Sequence, residues 1–569
     1  MSRWAGKISV LMLIAAGLLE SPRAWAQESA DAGASPLPAA KADDAADEPH
    51  VPAPVLDTWG TNEPAKPPSD VAQEAQVTAE QSEPAEKTAT EVQSEARENR
   101  LPIDAEADAK AHLRYTLERI EVRGNTRTRE RVILRYLKFK PGDILDVDDP
   151  ELTLTRYRVL GTGFFKDVQF ALRKGSRRGQ VILVIEVIER NTIVLNDVGI
   201  GLSSDANSRG KIQPLTAYGG IDVAYTNLAG TGITLGAALA VANEQNAIRV
   251  RFLDPSFLGT PWMLSGSILR NQAKDFFGTT SQVNWTDWNN VTSTSHSYAI
   301  VDYSRFGGSL GVGRDLSTST QLWAYYRLET IEAKKPLQAA EIRGGAVTPI
   351  EFDVRSGRSV LSTVRATLQH DTRDHPFLPT RGWYVATWGE LALQPFGSDY
   401  SYQRFDISAS YWWKVRGVPH VLRLQMFAGA ETAGAPFFEQ YYIGDFTDFR
   451  SPRMLGLNFE RRPPPAVFGG IIKEQRYGEY AAKVGLEYRI PVYRGSRSVY
   501  GIDLFLGAGL WSLISRRDLS NMPANYHELA RVPIDLTGNV GFRMDTSAGG
   551  LTFAFSNILG FIPLHGEGS

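Results

Sequence analysis

The chain has 569 residues, no cysteine and a formal net charge of −3. Without cysteine there are no disulfides, thiol nucleophiles or cysteine metal sites, so an exported chain of this length is held by packing or backbone pairing. The faintly acidic balance excludes the basic stripe of a nucleic-acid binder, and 51 glycines with 25 Phe, 21 Tyr and 12 Trp point to strands and turns.

Residues 1–26 read as a secretory signal. Arg3 and Lys7 give a positive start, Ile8 to Leu19 an apolar run, and Ala24-Trp25-Ala26 a small-x-small cleavage site, so the mature chain is expected to start at Gln27. The run is shorter than the about 20 residues a membrane-spanning helix needs. Residues 27–110 are rich in Ala, Glu, Pro, Asp and Ser, with Trp59 as the sole aromatic. Such a stretch buries too little apolar area to offset the entropy of ordering it, and a disordered acidic linker is predicted, acting as spacer or tether.

Residues 111–191 form a mixed segment. "YTLERIEVRGN" alternates as a strand into a turn at Gly124-Asn125. "TRTRERVILRYL" has the helical spacing of Val132, Ile133, Tyr136 and Leu137, and "KPGDILD" reads as a turn. "DPELTLTRYRVLGTGFF" is a second helix, stopped by Gly161 and Gly163 before Phe164. Two strands, "KDVQFALRKG" and "GQVILVIEVIER", complete a strand-helix-helix-strand-strand order. With "VRGN" after the first strand and "GFFKDV" before the second, the segment resembles a POTRA domain, the polypeptide-transport-associated module. On that resemblance Gly124, Asn125, Gly163 and Phe164 are its marker positions. The resemblance implies a module that contacts unfolded clients by strand addition at a sheet edge.

From residue 192 to 569 no helix of useful length is predicted. Fifteen segments, from "IVLNDVGIGLS" to "GLTFAFSN", alternate bulky apolar residues with small or charged ones. In a membrane barrel the apolar positions face lipid and the polar ones the lumen. Connections alternate short (Asn227–Gly230, Arg314–Thr318) and long (Asn271–Arg305, Ile331–Arg358), as in outer-membrane barrels. Trp262, Trp323, Trp383, Trp412, Trp413 and Trp511 are expected in interfacial girdles. The predicted fold is an all-β transmembrane antiparallel barrel after one α+β domain. Such barrels have an even strand number, giving 16, with either "ILGFIPLH" or a merged segment supplying the last.

"HDTRDHPFLPTRGWY" joins two predicted strands and gathers His370, Asp371, Arg373, Asp374 and His375. A metal needs convergent ligands, whereas His370 and Asp371 point to opposite faces of a strand, so a structural turn is expected and no metal or cofactor. The aspartates can accept backbone N–H bonds, and Pro379 and Gly382 set the reversal. Gly307-Gly308-Ser309-Leu310-Gly311 fits G-x-S-x-G, but it lies within a strand with no helix after it, so no enzyme is expected.

"FFEQYYIGDFTDFRSPRMLG" lies in a loop of about forty residues, long enough to fold back into the barrel. The "D-x-R-D-x-x-x-x-P-x-x-G" turn (Asp371, Arg373, Asp374, Pro379, Gly382), this loop and the following "LEYRIP" resemble the BamA/TamA-like outer-membrane assembly and translocation superfamily. The resemblance implies that Gly444 is the loop's upstream glycine, that Phe449 and Arg450 stand at its tip, and that Glu487 faces the lumen. An arginine there needs a carboxylate, so an Arg450–Glu487 ion pair is expected, with a solvated Arg450 as the alternative. The tip departs from the family's "V/I-R-G-F/Y", and Gly507 stands where an aspartate is usual. The implied function is insertion or translocation of client proteins, with unfolded outer-membrane or secreted chains and accessory periplasmic or lipoprotein subunits as partners. The implied location is the outer membrane of a Gram-negative bacterium, with the POTRA domain and linker in the periplasm. The alternatives are a two-partner-type secretion pore for one passenger and a porin-like channel.

Overall fold

The computed structural model describes residues 114–206, 212–277, 282–284, 299–335, 339–343, 346–442, 453–455, 457–458, 477–516, 519, 534–556 and 562–563, all within one compact unit. The expected signal and linker lie outside these residues.

The N-terminal domain runs β1 (Arg114–Arg123), α1 (Glu130–Leu134), β2 (Ile144–Asp146), α2 (Pro150–Gly161), β3 (Phe165–Lys174) and β4 (Gln180–Glu189). The sheet order is β2-β1-β4-β3, with β1 parallel to β4 and the outer pairs antiparallel. Asp149 caps α2 by accepting from Glu151 N at 2.9 Å, and Pro150 takes the first helical position, where its missing N–H is harmless. Leu117, Ile133, Val159, Val168, Leu183 and Ile185 form the core. One expectation is corrected here. "KPGDILD" is a turn only as far as Asp143; Ile144–Asp146 then pairs with β1 as an edge strand.

The wall of the second part is a single antiparallel sheet. Its strands are β5 (Ile193–Ala206), β6 (Ile212–Tyr225), β7 (Thr234–Ala242), β8 (Gln245–Asp254), β9 (Trp262–Phe277), β10 (Ala299–Asp315), β11 (Thr320–Lys334) and β12 (Gly357–Asp371). They continue with β13 (Gly382–Ala392), β14 (Tyr402–Lys414), β15 (Val421–Glu431), β16 (Tyr480–Arg494), β17 (Val499–Ile514), β18 (Asp535–Thr546) and β19 (Gly549–Ser556). Each pairs with its sequence neighbour, giving a nearly closed barrel of fifteen strands in unbroken order. The sixteenth strand of the sheet, Ile562–Pro563, comes from the "ILGFIPLH" segment; it pairs with β18 beyond the end of β19 and does not close the wall. Several strands run past the segments read from sequence, because the wall continues beyond the apolar band: β9 reaches Phe277 and β10 begins at Ala299.

The faces alternate as a membrane barrel requires. Along β11, Trp323, Arg327 and Glu329 are buried inside, while Leu322, Tyr326 and Leu328 are exposed on the outer face. This corrects part of the aromatic reading. Trp262 and Trp383 are exposed on the outside, but Trp323, Trp412 and Trp511 are buried inside the wall. The Arg373 and Arg423 guanidiniums lie over the Trp412 ring at 5.8 and 5.2 Å, so an aromatic face meets lumenal cations instead of lipid headgroups. The glycine run of β10 serves the same inner face. Gly313 stands opposite Trp323 and Gly311 opposite Tyr325, and a Cβ at either would sit within 2.3 Å of the ring. Ser309 spends its hydroxyl on Ser267 at 2.9 Å.

Candidate functional site

Inside the outer half of the barrel, buried charges meet the chain that follows β15. Past Glu431 it turns inward, and Phe437 packs edge-on against Phe277 and Tyr303 at 5.1 and 5.3 Å. Next to it, Glu439 accepts from Arg305 Nη2 at 2.7 Å and from Arg327 Nη1 and Nη2 at 2.9 and 3.1 Å. Its backbone carbonyl accepts from Arg404 at 2.5 Å. Arg327 reaches on to Glu390 at 2.9 Å, which also takes Arg365 and the Tyr402 hydroxyl at 2.8 Å each. Arg305 also donates to Glu329 at 2.7 Å. Charges this deep are tolerable only when paired and hydrogen-bonded, and one loop carboxylate shared by two wall arginines fixes the loop's first leg. Sequence reasoning missed Glu439. The signal was an acidic residue flanked by aromatics, "FFEQYY", a composition unsuited to a solvated loop.

Gly444, Phe449 and Arg450 lie outside the described residues. Glu487, on β16, is buried on the lumenal side, where it accepts from Arg543 at 2.7 Å with Arg423 at 3.7 Å.

At the end of the barrel next to the POTRA domain, the turn between β12 and β13 is built by its own side chains. Asp371 takes both Nε and Nη2 of Arg373, at 2.9 and 2.7 Å. Asp374 accepts from Thr380 N at 2.7 Å and Arg381 N at 3.2 Å. Pro379 offers its carbonyl to Arg489. Gly382 has φ +108, and a Cβ would lie 2.3 Å from Thr372 O, so only glycine fits. The two histidines part ways. His370 Nδ1 meets Thr320 Oγ1 at 3.0 Å, whereas His375 Nδ1 accepts from Phe377 N and Leu378 N and its Nε2 faces Asp545 at 3.5 Å. Burial holds the His375 imidazolium down, against the pull of Asp545 and with the help of Arg190. Among the described residues no three His, Cys, Asp or Glu converge as a metal site.

The small domain's marker residues shape its own turns and core. Gly124 has φ +83 and would place a Cβ 2.1 Å from Val187 O. Asn125 donates to Thr128 O at 3.1 Å. Gly163, at φ +76, turns the chain so that Phe164 enters the core and its carbonyl accepts from Arg190 N at 2.9 Å. Glu189 gathers Thr128 N, Thr126 Oγ1 and Arg127 N. Burial disfavours its charge, but these bonds prevail and hold the carboxyl below its usual range. The domain touches the barrel rim at several turns. Arg158 meets Asp315 at 2.7 Å, Asn227 meets Thr128 at 2.7 Å, Arg381 meets Tyr157 at 2.5 Å, and Lys166 meets Ser496 O at 3.0 Å.

The wall has a seam. Among the described residues the sheet order ends at β5 and β19, and near the POTRA domain Leu195 N donates to Ala548 O at 2.8 Å. Above this contact, no ladder joins the two strands among the described residues.

The "Outer membrane protein assembly factor BamA" of Nitratidesulfovibrio vulgaris is 24% identical over 377 residues, which cover 65% of this chain and 41% of that protein. The protein of the same name from Neorickettsia risticii is 25% identical, covering 56% of this chain and 37% of the relative. The chain thus spans about two-fifths of these relatives' length. Among solved structures, CdiB from Escherichia coli is similar at 11% identity and TM-score 0.48, covering 79% of this chain and 73% of that one. BamA from Haemophilus ducreyi lacking POTRA domains 1–3 is similar at 14% identity and TM-score 0.41, covering 79% and 81%. The POTRA profile, described as a surface antigen variable number repeat, matches residues 115–190. The Omp85 superfamily domain matches residues 227–549, more than half of the chain. With a POTRA domain ahead of its barrel, this chain belongs to the Omp85 superfamily.

Proposed function

We propose that the chain inserts client β-barrel proteins into the outer membrane, its POTRA domain receiving the unfolded client in the periplasm and its seam presenting unpaired strand edges. The observation that carries this reading is the seam. Among the described residues the sheet ends at two strands that no ladder joins, and such edges offer backbone donors and acceptors on which an incoming strand can form. The POTRA sheet offers a second edge in β3, ten residues long at the border of its sheet. The lumen speaks for the seam as the route. Glu439 and Phe437 bring the loop across the interior, which disfavours passage through the pore. No bond-making chemistry belongs to this reading, which takes unfolded outer-membrane chains as clients and accessory periplasmic or lipoprotein subunits as partners. An Arg450–Glu487 pair would pin the loop further, and a double-mutant cycle without coupling between the two would remove it.

The test is insertion of an unfolded, radiolabelled barrel precursor into liposomes with the full chain, without it, and with Arg450→Ala. Acceleration by the full chain that is lost in the variant is expected. No acceleration, together with large steady conductance in planar bilayers, would overturn the reading in favour of a secretion pore or porin.

A further inference from the structure

Near the POTRA domain, the lumenal side of the wall forms a cavity of about 60 Å³ between the β12–β13 turn and strands β14, β15, β16, β18 and β19. About 10–15 Å³ is enough for one water, so the cavity has room for a tetrahedral oxyanion. Four arginines line it, Arg373 from the turn, Arg423 on β15, Arg489 on β16 and Arg543 on β18, against one carboxylate, Glu487. All four side chains are buried, with exposures of 3, 5, 3 and 8%.

The cations are held in place by what surrounds them. Trp412 lies under both Arg373 and Arg423, Tyr384 under Arg373 at 4.6 Å, and Phe505 under Arg543 at 4.9 Å. A ring takes the flat face of a guanidinium and leaves its in-plane N–H donors for other partners. Asp371 binds Arg373, and Asp503 lies 2.9 Å from Arg489 Nε and 2.5 Å from Arg494 Nη1. Beside the cavity, Arg190 donates to both carboxylate oxygens of Asp545 at 2.6 and 3.2 Å, its cation over the Phe377 ring at 4.5 Å. Within the cavity itself, Glu487 faces two arginines, and two more border the same space. Cations gathered this closely away from bulk water repel one another unless an anion lies among them.

We propose that this cavity is a binding site for a phosphate-type oxyanion, bridged between the guanidiniums of Arg423, Arg489 and Arg543. A guanidinium matches phosphate with two parallel N–H···O bonds, and the aromatic rings beneath these side chains fix the direction of their donors. Inorganic phosphate and the phosphate of a lipid headgroup share this chemistry. The anion ties the β12–β13 turn to the β18–β19 hairpin, since both border the cavity. The site belongs to the barrel by itself and does not rest on the insertion of a client. An Arg450 side chain brought to Glu487 would add a further cation, so the anion suits that arrangement as well.

The test uses the full folded chain in dodecyl maltoside, a detergent without phosphate. Titration with sodium phosphate in a constant chloride background, at fixed ionic strength, should give saturable binding by calorimetry and broaden the phosphorus NMR line. Arg423→Gln should weaken this binding about tenfold or more, through loss of a charge-assisted contact. Thr552 supplies the converse variant, because it pairs with Arg543 across β18 and β19 and lines the same cavity. Thr552→Glu brings a carboxylate from the wall and should abolish phosphate binding while the barrel keeps its heat-modifiable mobility. Should Arg423→Gln not fold, Thr552→Glu locates the site. Dihexanoylphosphatidylglycerol separates the two sources: competition at lower concentration than inorganic phosphate assigns a lipid headgroup, and failure to compete assigns the free ion. No saturable phosphate binding by the wild type would overturn the site, as would wild-type affinity in a folded Thr552→Glu or Arg423→Gln variant. No client is present, so this result and the insertion assay stand or fall separately.

Discussion

The POTRA domain and the barrel bury opposite chemistries in their strands. In β4, Val181, Leu183 and Ile185 go into a dry apolar core. In β11, the buried positions include Arg327 and Glu329, and Tyr326 and Leu328 beside them face outward at 44% and 48% exposure. Burial alone therefore does not say what a position wants. In the small domain a buried side chain must match apolar neighbours, whereas in the lumen it must match a charge on another strand. What is excluded from water differs too: an interior in one case and an outer wall in the other.

The sharpest way to break the comparison is to put a charge in the apolar core. Ile185→Asp should cost about 5 kcal/mol and unfold the POTRA domain, seen as rapid proteolysis there while the barrel keeps its heat-modifiable mobility. The converse change removes a lumenal charge. Arg327→Ala takes one partner from both Glu390 and Glu439, and about 3–5 kcal/mol of barrel stability should go with it in urea unfolding from lipid vesicles. Its neighbour on the outer face sharpens the contrast. Leu328→Arg should cost about 2–4 kcal/mol if it faces the bilayer midplane and less near an interface, so unfolding in lipids of graded thickness locates it. Were Leu328→Arg harmless in every lipid, the membrane reading of the outer face would fall.

The smallest effect concerns the joint. The hydrogen bonds on Glu189 hold its carboxyl below the usual range, so its contribution is present above the unfolded-state pKa and is lost as pH falls through the folded one. Glu189→Gln should cost about 1 kcal/mol at neutral pH, and the difference from wild type should close as the solution is acidified below the carboxylate range. Chemical denaturation across that range, monitored on the POTRA domain, checks it.

The strand order was legible because period-two alternation and turn residues are local signals, and each of the fifteen segments became a wall strand. The edge strand Ile144–Asp146 was not, since three residues next to a Pro-Gly turn carry too little pattern to separate strand from turn. Alternation gives the two faces of a strand but not their sign, and this is why Trp323, Trp412 and Trp511, which are buried, were expected in interfacial girdles. The turn from Asp371 to Gly382 was legible because its bonds close within a few residues. The charge map was not. Glu439 meets Arg327 across 112 positions, and no local pattern encodes such a partner.

The Arg190–Asp545 pair spans 355 positions. Loop closure over that length cannot come early: the POTRA domain is made before the barrel and folds on local contacts, while Asp545 follows 355 positions later. The joint therefore acts as a completion check. Until the β18–β19 hairpin is in place, the Arg190 cation lacks its counterion, and the domain is held to the rim by its other contacts, among them those with Asp315, Asn227, Arg381 and Ser496.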